Sequence, residues 1–125
     1  MEFKVQTETG VYDLHAAVRL IGEDILVAIW GGEKPHIGAV AMAQPRPSLR
    51  DSNVTSATTS VYCFLGHKED ALANAAAAAI ASRLKTRTVV TAGIHWDHLD
   101  AEGIRAVQAN SVLLTELIMK RVLSE

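Results

Sequence analysis

Four of the five histidines in this chain lie within short polar motifs at the ends of apolar segments. Two motifs carry one histidine each, Pro35-His36-Ile37-Gly38 and Gly66-His67-Lys68-Glu69-Asp70, and Ala92-Gly93-Ile94-His95-Trp96-Asp97-His98 carries two. A further motif, Pro45-Arg46-Pro47-Ser48-Leu49-Arg50, has none but places an arginine beside a hydroxyl. Polar strand ends marked by glycine and proline are where a small scaffold builds a site.

The chemistry open to these residues is mostly that of holding an anion. Gly66-His67-Lys68 falls where a strand passes into a helix, and free N–H groups beside a lysine and a histidine favour a negative ligand there. Glu69 and Asp70 already bring negative charge to that turn, so a capped helix with a solvated His-Lys pair explains the motif equally well. Arg46 and Ser48 on a proline-stiffened loop make a competent grip for phosphate or carboxylate; the plain alternative is a rigid turn. His95 and His98 have the H-x-x-H spacing that binds metal on a helix, where i and i+3 share a face. Here the segment reads as a strand end, which leaves a polar lining with Asp97 orienting His95, or a Trp96 that simply closes the core. His36 reads first as a satisfied hydrogen-bonding residue, and His15 has no assigned role.

Evidence for catalysis is thinner. Cys63 alternates with its neighbours inside a strand, the wrong setting for an exposed thiolate. No G-x-S-x-G elbow, Walker loop or Rossmann glycine pattern occurs. A small metal-assisted or acid–base enzyme using His67, His95, Asp97 and His98 is the weaker hypothesis, because nothing pairs a nucleophile with a base.

The bulk numbers narrow the field further. A chain of 125 residues makes one domain, residues 1–125, with one core. A net charge of −2 and only 5% aromatic residues argue against nucleic acid as a partner. No apolar run approaches the ~20 residues needed to cross a bilayer. Met1-Glu2-Phe3-Lys4 has no apolar signal core, and one lone cysteine suits a reducing compartment, so the expected location is cytoplasmic.

The elements that must position the motifs follow from periodicity. Phe3, Val5 and Thr7 alternate with polar neighbours, and Tyr12, Leu14, Ala16, Val18 and Leu20 share one face of a second strand. Ile25 to Trp30 is a continuous apolar run and reads as a central strand. Ile37 to Ala43 is a strand of small residues, which lets a helix or a flat ligand approach. Residues 44 to 56 read as the one long loop, and residues 57 to 65 as a fifth strand. An alanine-rich helix from about Lys68 to Lys85 follows, then a buried strand from Thr88 to Ala92. The strand–helix–strand succession from 57 to 92 implies one parallel pair joined by a right-handed crossover. The last helix starts after Asp100, a plausible N-cap, and shows an apolar stripe of Ile104, Val107, Leu114, Ile118 and Val122. The order is five strands, helix, strand, helix: an α+β domain with a mostly antiparallel sheet of about six strands and two helices packed on it. Leu113, Leu117 and Leu123 widen the last helix's apolar face, which fits a homodimer or extra burial under a loop.

Taken in order, the motifs resemble the prenylated-flavin chaperone family. The resemblance rests on Gly31-Gly32 with Pro35-His36-Ile37-Gly38-Ala39-Val40, Pro45-Arg46-Pro47-Ser48-Leu49, Ser56-Ala57-Thr58 with Ser60-Val61, Gly66-His67-Lys68-Glu69-Asp70, and Ala92-Gly93-Ile94-His95-Trp96-Asp97. It covers roughly residues 29 to 110. It implies a non-catalytic helper that binds prenylated FMN, or FMN, as cargo and assists delivery to a UbiD-type decarboxylase. It also implies a fold similar to that of proteasome assembly chaperones and a tendency to dimerise. A protein-only assembly chaperone is the blander reading of the same likeness.

The resemblance brings no residue assignments, so the candidate cofactor-binding set comes from the motifs themselves: His36, Arg46, Ser48, Ser60, His67, Lys68, His95, Trp96 and Asp97. Arg46, Ser48, His67 and Lys68 are the candidates for the phosphate. The small-residue strand from 38 to 43 would admit the ring, with Trp96 or Trp30 stacked on it.

Overall fold

The computed structural model describes residues 1–64, 66 and 69–125. Strands β1 (Glu2–Gln6), β2 (Leu14–Ile21), β3 (Asp24–Gly32), β4 (Ala39–Pro47) and β5 (Thr55–Cys63) come first. Helix α1 (Asp70–Leu84), strand β6 (Thr88–His95) and helix α2 (Ala101–Leu123) complete the chain. The six strands form one sheet in the order β1-β2-β3-β6-β4-β5, antiparallel throughout except for β3 beside β6. This is the expected α+β domain.

Both helices lie on one face of the sheet, α1 over β4, β5 and β6, α2 over β1 and β2. The alternation read from the sequence sets that face. Phe3, Val18, Val27, Val90, Ala41 and Val61 form one row across all six strands. Val18, Val27, Val90 and Ala41 in that row are fully buried, and each such valine contributes ~1.5–3 kcal/mol relative to exposure. Ala39, Ala41 and Ala43 of β4 lie beneath the buried alanines of α1, including Ala73, Ala76 and Ala77. On this face the small residues admit a helix, not a flat ring. Alanine against alanine brings the two backbones close, and high helix propensity favours α1 despite its weak amphipathicity.

Four expectations are corrected. Residues 44 to 56 are not a loop: β4 runs on through Pro45, Arg46 and Pro47, which pair with Ala57, Ser56 and Thr55 of β5. The prolines fit because of their parity. Even-numbered residues of β4 bond towards β5, as Ser48 N–H does to the Val54 carbonyl at 2.7 Å, so Pro45 and Pro47 turn their missing N–H to the other side. On that side β6 pairs no further than Ala43 opposite Thr88.

The parallel partner of β6 is β3, and α1 carries the chain from β5 across β4 rather than to a neighbouring strand. β6 extends beyond Ala92 to His95, placing that histidine on a strand. On α2 the Asp100 side chain accepts the Gly103 N–H at 2.8 Å, the expected cap. The buried stripe, however, is Gly103, Val107, Asn110, Leu114 and Ile118, and Ile104 faces outward.

Candidate functional site

The alternating strand directions divide the candidate residues between the two ends of the sheet. The C-terminal ends of β3, β5 and β6 meet the start of β4 and the first turn of α1 at one end. The C-terminal end of β4 and the starts of β5, β6 and β3 lie at the other.

At the first end, His36 and Glu69 form a paired core. His36 Nδ1 donates to the Lys34 carbonyl at 2.7 Å, and Nε2 faces Glu69 Oε1 at 2.9 Å. The Ile94 N–H also donates to that oxygen, at 3.3 Å. Both ring nitrogens therefore face acceptor oxygens.

His95 and Asp97 lie nearby at the surface, 2.8 Å apart, with Lys34 Nζ 3.8 Å from the same Asp97 oxygen. The hydrogen bond with His95, ahead of contacts with Glu33 and Lys34, holds the Asp97 carboxyl below its ordinary value of 3.8. Asp97 is thus placed to orient His95.

Trp96 packs against the core, edge-on to Tyr12 at 5.4 Å between ring centres, and above Gly31 and Gly32. Gly32 adopts φ 89°, and a Cβ there would meet the His95 carbonyl, so these glycines are what lets the indole settle. Trp30 faces the opposite side of the sheet and stacks on His15, with ring centres 5.7 Å apart. His67 and Lys68 lie outside the described residues. Among the described residues no group of three or more histidine, cysteine or acidic side chains is arranged to hold a metal ion.

At the second end, Arg46 Nε donates to Thr58 Oγ1 at 2.8 Å and Nη1 to the Pro47 carbonyl at 3.0 Å, fixing the guanidinium along β5. Ser48 Oγ accepts the Arg50 N–H at 3.2 Å and sits at the turn of the hairpin. Ser60, opposite Met42, points out from the uncovered face.

Thr58 and Ser60 open onto a cleft of about 500 Å³ on that face, floored by Ile21, Leu26, Met42 and Val89. Arg87 lines it too, held by Asp24 at 3.1 Å. Sequence reasoning missed Arg87 and the apolar floor. Its only available signal was that Leu26, Met42 and Val89 occupy the outward parity of their strands.

A second cleft, about 400 Å³, lies between α1 and α2 and is lined chiefly by Leu72, Ile94, Leu99, Ile104 and Val112. Among the described residues its one charged lining side chain is Glu69.

A six-stranded α+β sheet with helices on one face and an arginine- and hydroxyl-edged cleft on the other defines a small binding domain. Comparison with known proteins makes the class specific. The family model of the prenylated flavin chaperone LpdD-like domain matches residues 8–123, and the chain belongs to that family. It is 31% identical over 102 residues to Protein LpdD of Lactiplantibacillus plantarum, across 80% of this chain and 70% of that one. This is a chaperone family, and the chain is accordingly non-catalytic.

The fold is similar to one in the crystal structure of a novel chaperone complex for yeast 20S proteasome assembly. That likeness has a TM-score of 0.53 and 17% identity over 99% of this chain and 92% of that one. Among the described residues no helix is long and apolar enough to cross a membrane.

Proposed function

We propose that this protein binds prenylated FMN, or FMN, as cargo and assists its delivery to a UbiD-type decarboxylase, acting in the cytoplasm as a homodimer. The observation that carries the reading is the cleft on the uncovered sheet face. Its floor of Ile21, Leu26, Met42 and Val89 suits a flat apolar ring system. Thr58 and Ser60 offer hydroxyls to a ribityl chain, and Arg87, with Arg46 beside Thr58, offers cations to a phosphate. A charge-assisted hydrogen bond of this kind contributes ~1.5–3 kcal/mol. Of the candidate set, Ser60 lines this cleft, Arg46 borders it through its bond to Thr58, and Ser48 lies in the adjoining hairpin. His36, His95, Trp96 and Asp97 lie at the other end of the sheet, where their hydrogen bonds and packing suit a structural part.

The cleft is open to solvent, as reversible holding requires. Titration with FMN and with prenylated FMN, followed by the visible spectrum, is expected to show saturable uptake. Loaded protein is then expected to restore activity to a decarboxylase freed of cofactor. An unchanged spectrum at micromolar protein with both flavins would overturn the reading.

A further inference from the structure

Among the described residues that line the cleft on the uncovered face, Asp24 and Arg87 are the charged ones, and they are bound to each other. Arg87 Nε donates to Asp24 Oδ1 at 3.2 Å, and Nη2 lies 3.1 Å from Oδ2. Two N–H groups of the guanidinium are thus matched to the two oxygens of one carboxylate. A guanidinium offers the same fork to a phosphate. The side chains are 75% and 41% exposed, so the pair adds little to stability and opens at small cost.

Arg46, at the border of the cleft, is held differently. Its partners are the Thr58 hydroxyl and the Pro47 carbonyl, both neutral, and among the described residues no carboxylate pairs with it. The cleft therefore presents one cation ready for an anion and one already engaged. Arg46 and Arg87 set against Asp24 leave one net positive charge, whereas a phosphate monoester brings about 1.5 to 2 negative ones at neutral pH. Arg19, beyond Leu26 on the same face, does not redress this, because it is paired with Glu2 at 3.5 Å. A site that only had to retain a phosphate would gain nothing from a carboxylate here; a site that must give it up does.

We infer that Asp24 is a competitor built into the cleft, which holds Arg87 in the unloaded protein and takes it back as the cargo leaves. The phosphate gains Arg87 only by displacing the Asp24 carboxylate. Asp24 thereby lowers the affinity for ligands that carry a phosphate monoester, speeds their release and leaves ligands without one untouched. This role rests on the cargo reading above.

Asp24→Asn keeps the size of the side chain and removes its charge. It is expected to bind FMN about fivefold more tightly than wild type, the scale of an exposed ion pair. The gain should appear as slower dissociation in stopped-flow displacement. Prenylated FMN replaces FMN as the probe if the wild type takes up only that form. Asp24→Ser is expected to give the same gain, and serves if asparagine disturbs the hairpin between β2 and β3. Riboflavin, which lacks the phosphate, should bind wild type and variants alike. Glu116→Gln removes the same charge from another exposed pair, that with Arg83 on the helices, and is expected to leave flavin affinity unchanged. In an Arg87→Ala background the gain from Asp24→Asn is expected to vanish.

Unchanged affinity in both Asp24 variants, an equal gain for riboflavin or in Glu116→Gln, or a gain that persists without Arg87 would each overturn the inference while the cargo reading stands. Uptake of neither flavin by the wild type overturns the two together.

Discussion

His36 Nε2 lies 2.9 Å from Glu69 Oε1, and that single contact ties the segment after β3 to the first turn of α1. The same carboxylate oxygen accepts the Ile94 N–H, so β6 is drawn into the junction as well. Glu69→Ala leaves the histidine and the amide without this acceptor in a largely buried setting, at a cost of ~1–3 kcal/mol. Glu69→Gln keeps an oxygen in place and is expected to cost less. Urea unfolding of the two variants measures the difference. If His36→Ala abolished flavin uptake while leaving the unfolding midpoint unchanged, the structural assignment of this pair would be wrong.

Arg46 and Arg87 are expected to carry the flavin phosphate. Arg46 is half-buried and Arg87 exposed, and among the described residues their contacts are local, Arg46 with Thr58 and the Pro47 carbonyl, Arg87 with Asp24. Removing either side chain therefore spares the core. Arg46→Ala and Arg87→Ala are each expected to weaken FMN uptake about tenfold, the equivalent of one charge-assisted hydrogen bond. Melting temperatures are expected to shift little. Riboflavin, which lacks the phosphate, should bind wild type and variants alike; a tenfold loss for riboflavin too would place the arginines elsewhere on the cargo.

Gly93 and Gly103 test how closely the backbone is packed. A Cβ on Gly93 would stand 1.5 Å from the His36 carbonyl oxygen, a backbone atom that cannot step aside. Gly93→Ala is expected to reach or exceed the upper end of the ~1–3 kcal/mol of ordinary overpacking. A Cβ on Gly103 would meet Leu99 Cδ1 at 2.5 Å, the far end of a flexible side chain. There the helix propensity gained by alanine, ~1 kcal/mol, offsets the adjustment. Thermal unfolding by circular dichroism ranks the two variants, and equal melting temperatures would contradict the packing described at His36.

The strand alternation was legible because one face of the sheet is buried: Phe3, Leu14, Ala16 and Val18 could be read inward from period two alone. The arrangement of the motifs was not, because strand direction leaves no local mark. Pro45 to Ser48 and Ala92 to His98 both follow apolar strands, yet β4 and β6 are antiparallel. Ala39 stands opposite Ala92 and Ala43 opposite Thr88, so Arg46 and His95 lie beyond opposite ends of the paired stretch.

The prolines read as a strand stop because their tolerance depends on which side of β4 lacks a partner, a tertiary fact. Leu26, Met42 and Val89 look like core residues in the sequence. Only the sheet order shows that their face is left bare, and so the floor of the cleft could not be foreseen.

Asp13 is the carboxylate most expected to couple stability to acid. It accepts the Thr9 N–H at 2.8 Å, the Thr7 hydroxyl at 2.8 Å and the Gly10 N–H at 3.3 Å. The Thr9 hydroxyl continues to Asn110 on α2 at 2.9 Å, and Asn110 donates in turn to the Tyr12 carbonyl at 2.7 Å, so the turn between β1 and β2 is pinned to the helix. These bonds, that from Thr9 N–H foremost, favour the charged form and hold the carboxyl below its ordinary value of 3.8. A carboxyl whose value is lowered by folding adds stability above the unfolded value and loses it as pH falls through the folded one. The urea midpoint of the wild type is therefore expected to be flat from about pH 7 to 5 and to fall below about pH 4. Asp13→Asn is expected to start from a lower midpoint at neutral pH and to fall less steeply in acid. Since Asp97 is lowered in the same direction by His95, some acid dependence should survive in Asp13→Asn and diminish further in the Asp13→Asn, Asp97→Asn double variant. Parallel acid profiles for the wild type and the double variant would show that neither carboxylate contributes.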